Sequence, residues 1–123
     1  MPSRSLADLD PELSEKYLLL AEDFASENPG KRLMPVCTWR SLDEQAQLYA
    51  AKKTQLMRGL HNLVDGDGDP CSRAIDVAVV DDGKITWDAS AYAALGPLAA
   101  RHGLEWGGAW TTLKDLDHLQ LPT

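Results

Sequence analysis

Apolar residues in the first part of the chain recur with helical spacing. Leu13, Tyr17, Leu20 and Phe24 fall three or four positions apart and line one face. Asp10 before Pro11 supplies a start signal, and "ENPGK" supplies a stop. "RLMPVCT" is a short continuous apolar run and predicts a strand, with Pro35 marking an edge or a bulge. "SLDEQAQLYAAKK" returns to the helical period, opened by Ser41 and Glu44 at capping-box spacing. From about Thr54 to Ser72 the chain is polar and without period. A loop of that length in a small domain is uncommon and often functional.

The pattern then changes to the β-branched run "AIDVAVV", the turn "DDGK", and "ITW" as a hairpin partner. Asp88 caps a third helix, "AYAALGPLAARH", which Gly103 stops. "LEW" and "LQL" predict two further short strands. The order is helix, strand, helix, strand, strand, helix, strand, strand. It predicts an α+β fold, a small antiparallel sheet with about three helices packed against it.

Composition narrows the functional classes. At 123 residues and 44% apolar content, the chain suits one domain, 1–123, with a core of its own. A net charge of −7 and a pI near 4.8 argue against nucleic acid as a partner and against an amphipathic membrane anchor. No apolar run approaches the length of a membrane span, so membrane insertion is not expected. "MPSRSLADLD" lacks an apolar signal region, which predicts synthesis in the cytoplasm without a signal peptide. Cys37 and Cys71 match no metal-binding spacing and read as buried free thiols rather than a disulfide.

Three histidines carry the candidate chemistry. His102 ends the third helix, where a cation complements the helix dipole, and takes a structural role. His61 opens the long loop. His118 lies in "KDLDHLQL", at the mouth of the last strand, beside Asp115 and Asp117. Asp76 interrupts the apolar run "AIDVAVV". Strand parity sends Ile75, Val77 and Val79 to the core and Ala74, Asp76 and Ala78 to the other face, where small alanines leave the acid open. Taken alone, Asp76 is a solvated strand acid by about two to one. Together, His61, Asp76 and His118 make a ligand set for catalytic zinc with a fourth position left for water. No HExxH helix is present, so such ligands come from separate elements.

Other residues divide between bland and chemical readings. Arg40 is either a surface ion-pair partner or a functional cation, and a cation at a helix start favours the second. Strand geometry does not choose between Asp115 and Asp117. A turn from Asp115 to His118 would bring those two within about 7 Å and favour Asp115. Asp65, Asp67 and Asp69 have the spacing that opens a calcium loop, but Pro70 stands where glycine is required. A solvated acidic loop is the reading by about two in three, with weak Ca2+ binding as the alternative. Trp39, Trp87, Trp106 and Trp110 read first as core, although Trp106 and Trp110 flank "GGA" and are placed to wall a pocket.

Four stretches in order, "CTWRSLDEQAQLY", "HN" followed by "AIDVA", "LEWGGAW" and "DLDHLQL", resemble the VanY-like or M15 zinc peptidoglycan peptidases. That group includes D-Ala-D-Ala carboxypeptidases and phage L-alanyl-D-glutamate endopeptidases. The resemblance spans Cys37 to Leu121. It departs at Gly59 and Ser72, where relatives commonly have serine and glycine, and in a longer spacing from His61 to Asp76. It implies Zn2+ bound by His61, Asp76 and His118, Asp115 as catalytic acid or base, and Arg40 acting on substrate or on the developing oxyanion. It further implies hydrolysis of a bond in the peptidoglycan stem peptide by a phage endolysin of endopeptidase type. That enzyme is expected to be monomeric, without a separate wall-binding domain, and to reach the wall after membrane permeabilisation. A D-alanyl-D-alanine carboxypeptidase and a non-catalytic, metal-stabilised phage structural module are the alternatives.

Overall fold

The computed structural model describes residues 2–51, 59–111 and 114–122. Asp10 caps the first helix, its Oδ1 accepting from the Glu12 amide at 2.9 Å, and Pro11 opens α1, Pro11–Glu27. Leu13, Tyr17, Leu20 and Phe24 are all buried, as their spacing predicts. The chain then enters β1, Lys31–Cys37, and α2, Leu42–Ala50. β2 is Ala74–Asp81 and β3 is Lys84–Thr86. Two short helices, α3 (Ala89–Tyr92) and α4 (Leu95–Arg101), precede β4, Glu105–Trp106, and β5, His118–Gln120.

The sheet is antiparallel with order β1-β2-β5-β4, and β3 pairs with β2. β1 lies at the end of that order, and its register slips between Pro35 and Cys37. Pro35 has no amide hydrogen for the ladder, so an edge position with a bulge accommodates it. The predicted third helix is divided at Ala93–Ala94. Pro97 has no N–H to offer the Ala93 carbonyl, which accepts from Gly96 at 3.3 Å instead.

One face of the sheet makes the core. Ile75, Val77 and Val79 of β2 and Leu119 of β5 pack against the apolar faces of α1 and α4. His102 follows α4 and sets Nε2 2.7 Å from Asp23 Oδ2, tying the two helices together in the structural role expected of it. The other face carries Asp76 and His118, but it is less open than parity alone suggests. Ala74 and Ala78 are fully buried, and Asp76 is mostly covered. The alanines make a closed floor rather than an open one. Trp87 corrects another expectation: it is 60% exposed, stacked on Tyr92 outside the core. Cys71 is only half-buried, whereas Cys37 is buried; both thiols are free. Thr54 to Arg58, the start of the predicted loop, lie outside the described residues.

Candidate active site

Asp76 and His118 are direct register partners on β2 and β5, and Cys37 of β1 is opposite Asp76 on the other side. Residues facing one another across a sheet project to the same side. The ladder therefore lines up a thiol, a carboxylate and an imidazole. His118 Nδ1 lies 3.0 Å from Asp76 Oδ1. His61 reaches the other oxygen from a 3-10 turn, Leu60–Asn62, with Nε2 3.4 Å from Oδ2.

That turn is pinned by hydrogen bonds from several sides. Arg40 N donates to the His61 carbonyl at 2.9 Å, and Arg73 N donates to Leu60 O at 3.1 Å. The Asn62 side chain accepts from Gly59 N at 2.7 Å and donates to the Arg40 carbonyl at 2.8 Å. A buried asparagine thus joins the loop to the start of α2. Sequence reasoning missed that role, although Asn62 sits directly after the candidate histidine.

The outer contacts of each imidazole define which nitrogen faces the carboxylate with a lone pair. His61 Nδ1 is 3.0 Å from the Thr38 carbonyl, an acceptor, so Nδ1 carries hydrogen. In the neutral ring, His61 Nε2 then carries the lone pair; it is buried and faces Asp76 Oδ2 at 3.4 Å. His118 Nε2 is 2.7 Å from Gln120 Oε1, so in the neutral ring Nε2 donates and Nδ1, on the Asp76 side, carries the lone pair. Two lone pairs and a carboxylate converge, a donor set that calls for a cation. Zinc takes this combination of imidazole and carboxylate. The ligating atoms of Cys37, His61 and Asp76 lie within 4.8 Å of one another, as do those of Asp76, Asp115 and His118. The residues present fit a zinc ion, and Asp76 belongs to both groups.

Without a metal, protons answer the same demand. Burial works against a charged His61, but contacts with Asp76 and Cys37 outweigh it and push the imidazole up to about 10. Burial likewise opposes a charged Asp76, and hydrogen bonds with His118 and His61 more than reverse this, holding the carboxyl well below its usual range.

Asp115 and His118 form the turn that the sequence left as a condition, with His118 N donating to Asp115 O at 3.3 Å. Asp115 Oδ2 stands 3.8 Å from His118 Nδ1 and is half-exposed. Asp117 lies beside Asp115. Burial, a hydrogen bond with Asp115 and the Asp76 charge push its carboxyl up to about 8. The two acids face each other because the chain turns before it becomes strand.

"WGGAW" explains how Asp115 comes so close. A Cβ on Gly107 would collide with the Asp115 carbonyl, and one on Gly108 would collide with the Trp106 indole. Trp106 donates from Nε1 to Leu116 O at 2.8 Å, holding the same turn. Trp110 lies over His118, with ring centroids 5.2 Å apart, so one of the two tryptophans walls the site directly.

Arg40 is no surface ion-pair partner. Its side chain is 16% exposed, donates to Gln45 Oε1 at 2.8 Å and to Cys37 Sγ at 3.5 Å, and lies 3.9 Å from Asp76 Oδ2. Gln45 is the buried residue of α2, whose apolar Leu42 and Tyr49 are largely exposed. The acidic loop is separate. Asp65 Oδ1 accepts from the Asp67 and Asp69 amides at 2.9 and 3.0 Å, and all three acids are exposed. The loop is closed by its own amides, and calcium is unsupported.

The family model described as D-alanyl-D-alanine carboxypeptidase, of the M15 peptidases, matches residues 71–121, which contain Asp76, Asp115 and His118. A crystal structure of the Serratia marcescens L-Ala D-Glu endopeptidase ChiX superimposes with a TM-score of 0.76. The two are 26% identical, and the match covers 99% of this chain and 89% of that one. These findings support a VanY/M15-like peptidase. No curated protein matches the sequence. The α+β fold agrees with the M15 architecture. No helix among the described residues is long and apolar enough to cross a membrane. The chain gathers its acidic and imidazole groups on one sheet face, and open depressions of about 420 and 430 Å3 lie near them. Trp39 and Asn62 line the first, and Trp106 and Trp110 line the second.

Proposed function

We propose that this chain is a zinc-dependent endopeptidase that cuts the L-alanyl-D-glutamate bond of the peptidoglycan stem peptide. The observation that supports it most is the convergence of two imidazole lone pairs, His61 Nε2 and His118 Nδ1, on the Asp76 carboxylate. In this reading His61, Asp76 and His118 hold zinc. The bound ion would supply Lewis acidity, activating a water and polarising the scissile carbonyl.

The chain's own groups do the rest. Asp115, half-exposed beside His118, takes the proton of the attacking water and passes it to the leaving amine. Arg40 directs a permanent charge at the oxygen on which negative charge develops, and Gln45 holds the guanidinium in place. Trp110 screens the His118 side of the site from water. Asn62, which lines one depression, adjoins His61, and Trp110, which lines the other, lies over His118.

The endopeptidase reading is preferred because the likeness to ChiX covers nearly the whole chain, whereas the carboxypeptidase-described family model matches residues 71–121. Digestion of purified peptidoglycan followed by mass analysis of the products tests the choice. Endopeptidase action leaves muramyl-L-alanine ends and peptides that begin with D-glutamate. Carboxypeptidase action releases free D-alanine and leaves the glutamate bond intact. Unchanged peptidoglycan after treatment with the zinc-loaded protein would refute both. In the same reading the protein is a monomeric phage endolysin, and it should clear turbid suspensions of cells whose membranes have been permeabilised.

A further inference from the structure

His118 offers a ring nitrogen to the site only if its other nitrogen keeps a hydrogen. What enforces that is an acceptor outside the site. Gln120 lies two residues along β5 on the same face, and its Oε1 is 2.7 Å from His118 Nε2. A glutamine amide could flip and present its NH2 instead, which would reverse the tautomer. Glu105 prevents this. It is the register partner of Gln120 on β4, and its Oε2 accepts from Gln120 Nε2 at 3.1 Å. A carboxylate cannot donate, so the amide oxygen must face the histidine. The chain of contacts runs from Glu105 through Gln120 to His118 and ends at Asp76.

We infer that Gln120 and Glu105 are positioning residues that fix His118 as its Nε2–H tautomer, so that Nδ1 is the metal-facing atom. The inference rests on the zinc reading above and adds residues that it does not use. Neither residue touches the reacting atoms. Partners of this kind orient a ligand and raise its basicity, and losing one typically weakens metal affinity by about 10- to 100-fold.

The test measures zinc affinity, by competition with a chromophoric chelator, and the ring 15N shifts of His118 in the zinc-loaded protein. Wild type should show hydrogen on Nε2 and metal on Nδ1. Gln120→Leu keeps the size of the side chain but accepts nothing. It should bind zinc about 10- to 100-fold more weakly, with a mixed tautomer signal. The exchanged pair Glu105→Gln with Gln120→Glu preserves the acceptor beside His118 and the donor behind it, and should return affinity to near wild type. Wild-type zinc affinity in Gln120→Leu would overturn the inference, as would failure of the exchanged pair to recover affinity in a folded protein. Metal on Nε2 of His118 in wild type would overturn it whether or not any variant folds. If wild type takes up no zinc, or His118→Ala binds it undiminished, the zinc reading itself fails and carries this inference with it.

Discussion

Zinc binding at this site should be strongly pH-dependent, because the metal must displace a proton from His61. In the metal-free site the imidazole is pushed up to about 10 by Asp76 and Cys37 against the effect of burial. Below that pH it holds a proton that zinc has to expel. Each pH unit then changes apparent affinity about tenfold, or about 1.4 kcal/mol. Between pH 6 and 8 the gain should be roughly hundredfold, affinity rising with pH. A histidine of ordinary pKa would give only about fourfold over that interval, since most of its titration would already be complete. Competition titrations at several pH values measure the slope. Calorimetry in buffers of different ionisation enthalpy counts the protons released. His61→Ala should bind zinc weakly and lose most of the slope. A gain of fourfold or less in wild type, or an unchanged slope in His61→Ala, would refute the argument. The same shift has a consequence for the chelated protein. A raised histidine pKa contributes stability that is present below about 6.5 and lost as pH rises through about 10.

Asp115→Asn should keep its zinc and its fold while losing about 10²–10⁴-fold in peptidoglycan turnover, and loss of metal in that variant would make Asp115 a ligand instead. Asp117, pushed up to about 8, favours folding below about 3.8 and progressively less as pH rises through 8, so Asp117→Asn should gain stability over wild type across that interval in thermal melts of the chelated protein. Arg40→Ala should abolish most turnover with zinc retained; because Arg40 bonds Gln45 and Cys37, a small fall in melting temperature is expected, and full activity would remove it from the catalytic set. Gly107→Ala must displace the Asp115 backbone, so activity should fall sharply although no ligand is altered, and wild-type turnover would show the turn to be unimportant.

Much of this molecule is legible from local pattern. The burial of Leu13, Tyr17, Leu20 and Phe24 follows from helical period, and the caps at Asp10 and Ser41 follow from short-range hydrogen bonding. The alternation in "HLQL" sends Leu119 and Leu121 to the core and His118 and Gln120 to the site face. Such features depend on neighbours within a few residues, and the sequence states them directly. The proposed ligand set, His61, Asp76 and His118, comes from family resemblance rather than from spacing.

Tertiary structure decided what joins across distance. The placing of Asp76 opposite His118 depends on the register of β2 and β5, 42 residues apart in the chain. Asp117 faces Asp115 because a turn precedes the strand, a point on which strand geometry alone did not choose. Cys37, read as an ordinary buried thiol, lies against His61 and Arg40 because a bulge at Pro35 shifts the register of β1. Asn62, Gln45, Gln120 and Glu105 gained their roles in the same way. Their side chains are common polar types, and only the partner that folding brings within about 3 Å distinguishes a positioning contact from a solvated surface group.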